Sequence, residues 1–551
     1  MTETRLVSSL EKCFPDQTVA DFPALTRLSV LKNERFSVQL LARAYGDDAP
    51  HRIFLTPGVT GAPCSFSVRT VECLPSLLPC YPGRCDDNYL RTEKGLYPDL
   101  LLPLGNGGRV PVVRDEARAY FFTFEPDGSA YGNFTLTFTL TDDAGEVRAE
   151  EKLDLEIIDA SLPEQKIKVT QWFHGDCVAQ YHCCEVFSRR WWSLTENYIK
   201  TAVRNGINTI LTPVFTPPLD TAPGHERLTV QLVGVESDGL GNYTFDFGNL
   251  AKWIKMCNRC GVKYLEISHL FTQWGAAHAP KVMATVGGEY RRIFGWETEA
   301  DGIEYSHFLR TFLTEFKEYM KARGDLDRCI FHISDEPNIK VLDQYKRSRA
   351  VVADILADCT VADALSNIEF YESGLVRTPI PANNHIKPFL DANIKDLWTY
   401  YCCSQSVGVS NRFFAMPSYR TRCIGAQFFR YDIAGFLQWG YNFYNSQFSL
   451  SPVNPYLDTT GNYFAPSGDA FSVYPSPDGA YESLRLVVFH EALEDLSAFS
   501  LCASLIGKDA TVKAIEEISG EIAFDRCAKS SYEVLAVREK INLLIKENLG
   551  K

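Results

Sequence analysis

Cys329-Ile330-Phe331-His332-Ile333-Ser334-Asp335-Glu336-Pro337-Asn338 is an apolar, β-branched run that stops at two adjacent carboxylates and a proline. Buried parallel strands are short and almost continuously apolar, and in α/β barrels chemistry sits where they end. The run therefore predicts a buried strand with Asp335 and Glu336 at its functional end. Neighbouring side chains on a strand point to opposite faces, so both acids can serve one site only if the ladder has broken by Glu336. Pro337 fits such a break, because it lacks a backbone donor and favours an extended Glu336. Asp115-Glu116, set between Arg114 and Arg118, has no such strand before it and reads as a solvated, ion-paired dipeptide.

Around this stretch the grammar is that of strands separated by helices. Ile167 to Phe173, Thr209 to Phe215, Tyr264 to Leu270 and Cys329 to Ser334 alternate with helical segments such as Trp192 to Asn205 and Phe308 to Ala322. Val361 to Leu365, Arg377 to Ile380, Asp396 to Cys402 and Gly435 to Tyr441 bring the strands to eight, the number that closes a parallel barrel. The proline-rich Thr212 to Pro218 cannot be helical, and the long segments after the second and third strands suit loops that shape a cleft.

Upstream the period changes to two. Arg35 to Tyr45 is strand-like, Phe134, Leu136, Phe138 and Leu140 alternate with threonines, and Leu153, Leu155 and Ile157 alternate with charges after an Asp142-Asp143-Ala144-Gly145 turn. This predicts half-buried antiparallel strands in a β-sandwich, with Ser161-Leu162-Pro163-Glu164 as the boundary. Beyond residue 480 the pattern is helical, and Val534, Val537, Ile541 and Leu544 recur at helix spacing. The expected fold is multidomain: an N-terminal antiparallel β-sandwich (1–160), a (β/α)8 TIM-type barrel (165–500) and C-terminal helices (501–551) packing on it.

The 551 residues carry 55 Lys and Arg against 69 Asp and Glu, a net charge of −14 that argues against a nucleic-acid partner. Met1 to Pro15 lacks the apolar core of a secretory signal, and no run of about twenty apolar residues predicts a membrane span. With 17 cysteines, an odd number, reduced thiols in a cytoplasm are expected rather than disulfides. Asn133-Phe134-Thr135 and Asn242-Tyr243-Thr244 match the glycosylation pattern but have no role in a protein that is not exported.

Aromatic and polar residues gather near the strand ends: Trp172 with His174, His269 with Trp274, Trp398 with Tyr400 and Tyr401, and Trp439 with Tyr441 and Asn442. Sugar rings present apolar faces and polar hydroxyls, so such a mixture suits a carbohydrate cleft, although each ring taken singly also suits a core. A metal site is not expected. His174, His182, Cys183 and Cys184 lie close in sequence and Cys257 is two residues from Cys260, but neither group completes a ligand set. No GxGxxG, Walker or GxSxG motif occurs, and no cofactor is expected.

Ser334-Asp335-Glu336-Pro337, Trp398-Thr399-Tyr400-Tyr401, Gly435-Phe436-Leu437-Gln438-Trp439-Gly440 with Asn442, Gly468-Asp469, Tyr474-Pro475 and Ser483-Leu484-Arg485 together resemble glycoside hydrolase family 123 and the wider barrel family around it. The resemblance spans roughly residues 165 to 500. It implies a retaining, exo-acting β-N-acetylgalactosaminidase whose nucleophile is the substrate's own 2-acetamido group. Asp335 would orient that group and Glu336 would be the general acid/base. His174, His269, Trp274, Trp398, Tyr400, Tyr401, Trp439 and Asn442 are the expected sugar-binding residues, Tyr401 and Trp439 foremost. A glutamic acid buried beside a second carboxylate can titrate at about 6 or higher, as a general acid requires. The expected substrate is an oligosaccharide or glycoconjugate with a terminal β-linked GalNAc. The alternatives are another β-N-acetylhexosaminidase or a non-catalytic carbohydrate-binding protein.

Overall fold

The computed structural model describes residues 2–46, 50–105 and 108–550. The N-terminal part holds two five-stranded sheets. One runs Thr2–Ser8, Phe36–Ala44, Ala117–Glu125, Ser65–Ser76, Gly95–Pro103, and the other Arg27–Leu31, Val147–Ile158, Gly132–Asp142, Arg52–Thr60, Val110–Val113. All neighbours are antiparallel except Arg27–Leu31, which runs parallel to Val147–Ile158. The sheets face each other over a shared core. Val38, Leu40 and Phe122 come from one side, and Leu136, Phe138, Leu140, Leu153 and Leu155 from the other. The alternation in sequence thus becomes an inner apolar face and an outer threonine face. At the turn before the last strand, Asp142 Oδ1 accepts from the amides of Ala144 and Glu146.

Eight short strands follow: β1 (Lys168–Gln171), β2 (Thr209–Thr212), β3 (Tyr264–Ile267), β4 (Cys329–Phe331), β5 (Thr360–Ala364), β6 (Thr378–Ile380), β7 (Trp398–Tyr400) and β8 (Gly435–Gln438). They are parallel and ordered as in the chain, and β8 pairs back onto β1. Between β6 and β7 the ring is joined by one parallel bridge, Ala382 to Tyr400. Pro379 and Pro381 supply no backbone donor there, which shortens that seam. The result is a nearly closed parallel barrel. Most of its strands stop two or three residues short of the apolar run that announces them. The remaining residues stay buried but bond to loops: the amides of Leu270 and Phe271 reach the carbonyls of His332 and Ile333.

The helix Leu484–Ile506 joins the parts. Its Leu484 and Val487 pack with Val7, Leu41 and Phe121 of the N-terminal sheets, its Leu486 and Phe489 with the barrel, and its Phe499 and Cys502 with the helices Lys508–Ser519 and Ser531–Asn548. Buried ion pairs repeat the pattern. Arg485 bonds Asp99, Arg422 bonds Asp495, and Arg538 bridges Asp495 and Glu34. Among the described residues no helix is long and apolar enough to cross a membrane.

Candidate active site

The ends of β1, β4, β5, β7 and β8 and the loops after them surround one cleft. Trp172 lies at its floor, Asp220, Asp335 and Glu336 supply carboxylates, and Trp274, Tyr400, Trp439, Phe448 and Phe464 supply rings. The cleft measures about 180 Å³, smaller than the roughly 300–1,000 Å³ that hold drug-sized ligands, so it is sized for a single ring.

The β4 ladder ends at Phe331, and Glu336 sits at φ 44°. It is left-handed, not extended as the proline alone suggests, because hydrogen bonds outweigh the pre-proline preference. The Glu336 amide donates to Ala364 O (3.0 Å), and the Trp274 amide donates to Asp335 O (2.7 Å). This turn places two consecutive carboxyls on the cleft, at a conformational cost of about 1–3 kcal/mol of the kind that concentrates at functional sites. Asp335 is half-buried and Glu336 exposed. Burial, then the Glu336 charge, pushes the Asp335 carboxyl well above its usual range. The Tyr400 hydroxyl donates to Glu336 Oε1 at 2.5 Å.

Beneath the pair lies an ionic network sealed from solvent. His332 Nε2 bonds Glu266 Oε1 at 2.7 Å, and its Nδ1 faces Asp363 Oδ1 at 3.5 Å, an ion-pair rather than a hydrogen-bond distance. Burial alone would lower the imidazole, yet Asp363 and Glu266 push it up to about 10, so it is a buried cation. Glu266 also accepts from the indole of Trp172 (2.9 Å), fixing the floor. Asp363 Oδ1 accepts from the Ile333 amide (2.8 Å) and more weakly from the Ser334 amide (3.3 Å), fixing the segment that carries Asp335.

Asp220 comes from the loop after β2. Its amide donates to Gln273 Oε1 (2.5 Å), its Oδ2 accepts from the Phe448 amide (3.0 Å), and its carbonyl accepts from Ser449 (2.7 Å). Burial raises it to about 6. Opposite, the Trp439 indole donates to Asp469 Oδ2 at 2.9 Å. Burial raises Asp469 to about 6 against the pull of Arg412.

Of the expected sugar-binding residues, Trp274, Tyr400 and Trp439 line the cleft together with Asp335 and Glu336. The others lie elsewhere. Trp398 and Tyr400 share the inward face of β7, but Trp398 lies deeper, flat against Gly435, where a Cβ would come within 2.0 Å of the indole. Tyr401 has the opposite parity and faces outward onto Phe436, ring centroids 4.9 Å apart. His269 is buried between His332 and Trp172. His174 and Asn442 form a clamp: the Asn442 amide bonds the His174 backbone at both N (2.8 Å) and O (3.0 Å). Burial and Arg227 lower His174 to about 3, so its neutral ring accepts from Arg227 and donates to the Trp439 carbonyl. Asp220, Gln273, Phe448 and Phe464 join the cleft from loops where nothing local in the sequence marks them. Among the described residues no group of three or more His, Cys, Asp or Glu could hold a metal ion.

The family model "Glycoside hydrolase 123, catalytic domain" matches residues 172–502. No curated protein matches the chain by sequence. A solved family 123 glycoside hydrolase from Clostridium perfringens, studied for glycolipid glycan hydrolysis, is 12% identical and superposes with a TM-score of 0.74, covering 99% of this chain and 98% of that one. The endo-β-1,4-mannanase of Thermotoga petrophila (10% identity, TM-score 0.32, 61% and 77% covered) and a Bifidobacterium dentium β-glucuronidase (8%, 0.31, 90% and 66%) overlap too loosely to bear on fold or site.

Proposed function

The chain belongs to glycoside hydrolase family 123, and from that premise we propose that it is a retaining, exo-acting β-N-acetylgalactosaminidase using the substrate's 2-acetamido group as nucleophile. Its substrate would be an oligosaccharide or glycoconjugate ending in β-linked GalNAc. The observation that carries this reading is the Asp335–Glu336 turn, which presents two consecutive carboxyls to a cleft the size of one ring.

In this reading the acetamido oxygen attacks C1 as the glycosidic bond breaks, giving an oxazolinium ion. Asp335 accepts the acetamido N–H and stabilises the developing positive charge. Glu336 protonates the departing oxygen and then, as a base, activates the water that opens the oxazoline. The raised Asp335 carboxyl suits the cycle. An arriving acetamido N–H stabilises the ionised form of Asp335, so the carboxylate forms as the substrate seats. The buried His332 cation opposes the rise at Asp335. Trp439, Trp274 and Trp172 would bound the sugar ring, and Tyr400 would aim Glu336.

The same reading takes the barrel as a TIM-type (β/α)8 domain over 165–500, with 1–160 a sandwich and 501–551 a helical brace. A helix follows every strand, which supports this. It places the protein in a cytoplasm, supported by 17 free cysteines. Incubation with aryl β-GalNAc, β-GlcNAc and β-galactoside tests the activity. Release from β-GalNAc alone or foremost is expected, and no release from any of them would favour a carbohydrate binder.

A further inference from the structure

The loop leaving β7 carries a second adjacent pair into the cleft. The β7 ladder ends at Tyr400 and a turn begins at Cys403. The alternation that would send neighbours to opposite faces has therefore lapsed, as it has at Asp335-Glu336, and Cys402 and Cys403 both line the cleft. The two thiols lie close enough for the Cys403 thiol to act on Cys402, and Cys402 Sγ also donates to Gln405 Oε1 at 3.2 Å. Both residues are half-buried rather than sealed, and both are free thiols.

The chain's other vicinal pair is placed differently. Cys183 is exposed, with φ 48° and its thiol turned to the carbonyls of Gln180 and Tyr181, whereas Cys184 packs against the core. Neither residue lines the cleft.

We propose that Cys402 and Cys403 form a binding site for thiophilic centres that take two sulfurs, trivalent arsenicals foremost, and that occupancy closes the cleft. No third ligand of the His, Cys, Asp or Glu type completes a metal site among the described residues, so the pair offers two soft donors and no more. With an arylarsine oxide the balance is simple. The arsenic–oxygen bond is replaced by two arsenic–sulfur bonds, the two thiol protons leave with the oxygen as water, and arsenic stays trivalent. The aryl group would project beside Tyr400 and Glu336, against the rings of Trp439 and Phe464. Cys402 is held well above its usual range by the Cys403 thiol and by burial, so a one-sulfur alkylating agent, which needs a thiolate, has little purchase on it.

The consequence for turnover rests on the proposed function; the adduct itself does not. The experiment treats the full chain with phenylarsine oxide, unfolds it, blocks remaining thiols with iodoacetamide and maps the peptides by mass. The expected result is one arsenical on the Cys402–Cys403 peptide, which escapes alkylation, with turnover lost in step and restored by an excess of a 1,2-dithiol. In C402S and in C403S the remaining turnover should be insensitive to the reagent, while a C183S/C184S double variant should behave as the unmodified protein. Alkylation of Cys402 and Cys403 with the arsenical elsewhere, or unchanged sensitivity in C402S and C403S, would overturn the proposal. If no glycoside is cleaved at all, the peptide map still decides the site.

Discussion

The Tyr400 hydroxyl reaches from the end of β7 to Oε1 of Glu336, beyond the end of β4, at 2.5 Å. The bond links two carriers on different sides of the barrel, so the position of Glu336 depends on the barrel and not on its own loop. A hydrogen bond to a charged group contributes about 1.5–3 kcal/mol, so Tyr400→Phe should lower kcat/KM roughly 10- to 150-fold. Steady-state kinetics on an aryl β-GalNAc checks this, and near-parental kcat/KM would show that Tyr400 does not position Glu336.

Glu336→Gln should abolish most turnover of alkyl glycosides yet spare aryl glycosides with very acidic leaving groups, which need little protonation. The measurement is a plot of rate against leaving-group pKa. A variant slope no steeper than the parent's would remove Glu336 from the acid's role.

Trp439 and Tyr401 give a paired test, because one ring lies in the cleft and the other behind the barrel wall. Burying an aromatic against a ligand contributes about 1.5–3 kcal/mol, so Trp439→Ala should raise KM roughly 10- to 100-fold. The Tyr401 hydroxyl has no hydrogen-bond partner among the described residues, so Tyr401→Phe should leave KM unchanged and leave stability equal or slightly higher. A large KM effect at Tyr401 would contradict the register of β7.

His332 sets a pH dependence of stability. Its folded pKa, about 10, lies above the unfolded value of about 6.5, so its contribution is fully present below pH 6.5 and fades as pH rises toward 10. Breaking such a buried network typically costs about 3–5 kcal/mol, so His332→Asn should be strongly destabilised at pH 6 and less so at pH 9.5. Urea unfolding at the two pH values decides it, and an equal deficit at both would mean the imidazole is neutral.

Much of this was legible because burial writes itself into composition. Seven of the eight strands fall within the runs that announce them and β5 begins one residue before its run, while Asp335-Glu336 stands out because two acids end an apolar run. The resemblance puts Tyr401 foremost, yet the parity that puts Trp398 inside also puts Tyr400 there. Gly435 is the local sign that Trp398 lies flat in the barrel and not in the cleft. His174, His269 and Asn442 read as ligand-facing in sequence because a polar residue near a strand end looks the same whether it faces a sugar or clamps a neighbouring strand. Asp220 and Phe448, 228 residues apart yet bonded to each other, belong to loops that meet only through the fold.

The most direct test of substrate assistance varies the nucleophile within the substrate. Aryl β-galactosides carrying acetamido, monofluoro-, difluoro- and trifluoroacetamido groups at C2 keep the leaving group constant while the carbonyl oxygen becomes a weaker nucleophile, and kcat/KM is measured for each. The account predicts a steep monotonic fall across the series. A flat series, or a covalent adduct on Asp335 trapped by a 2-fluoro glycoside, would contradict it.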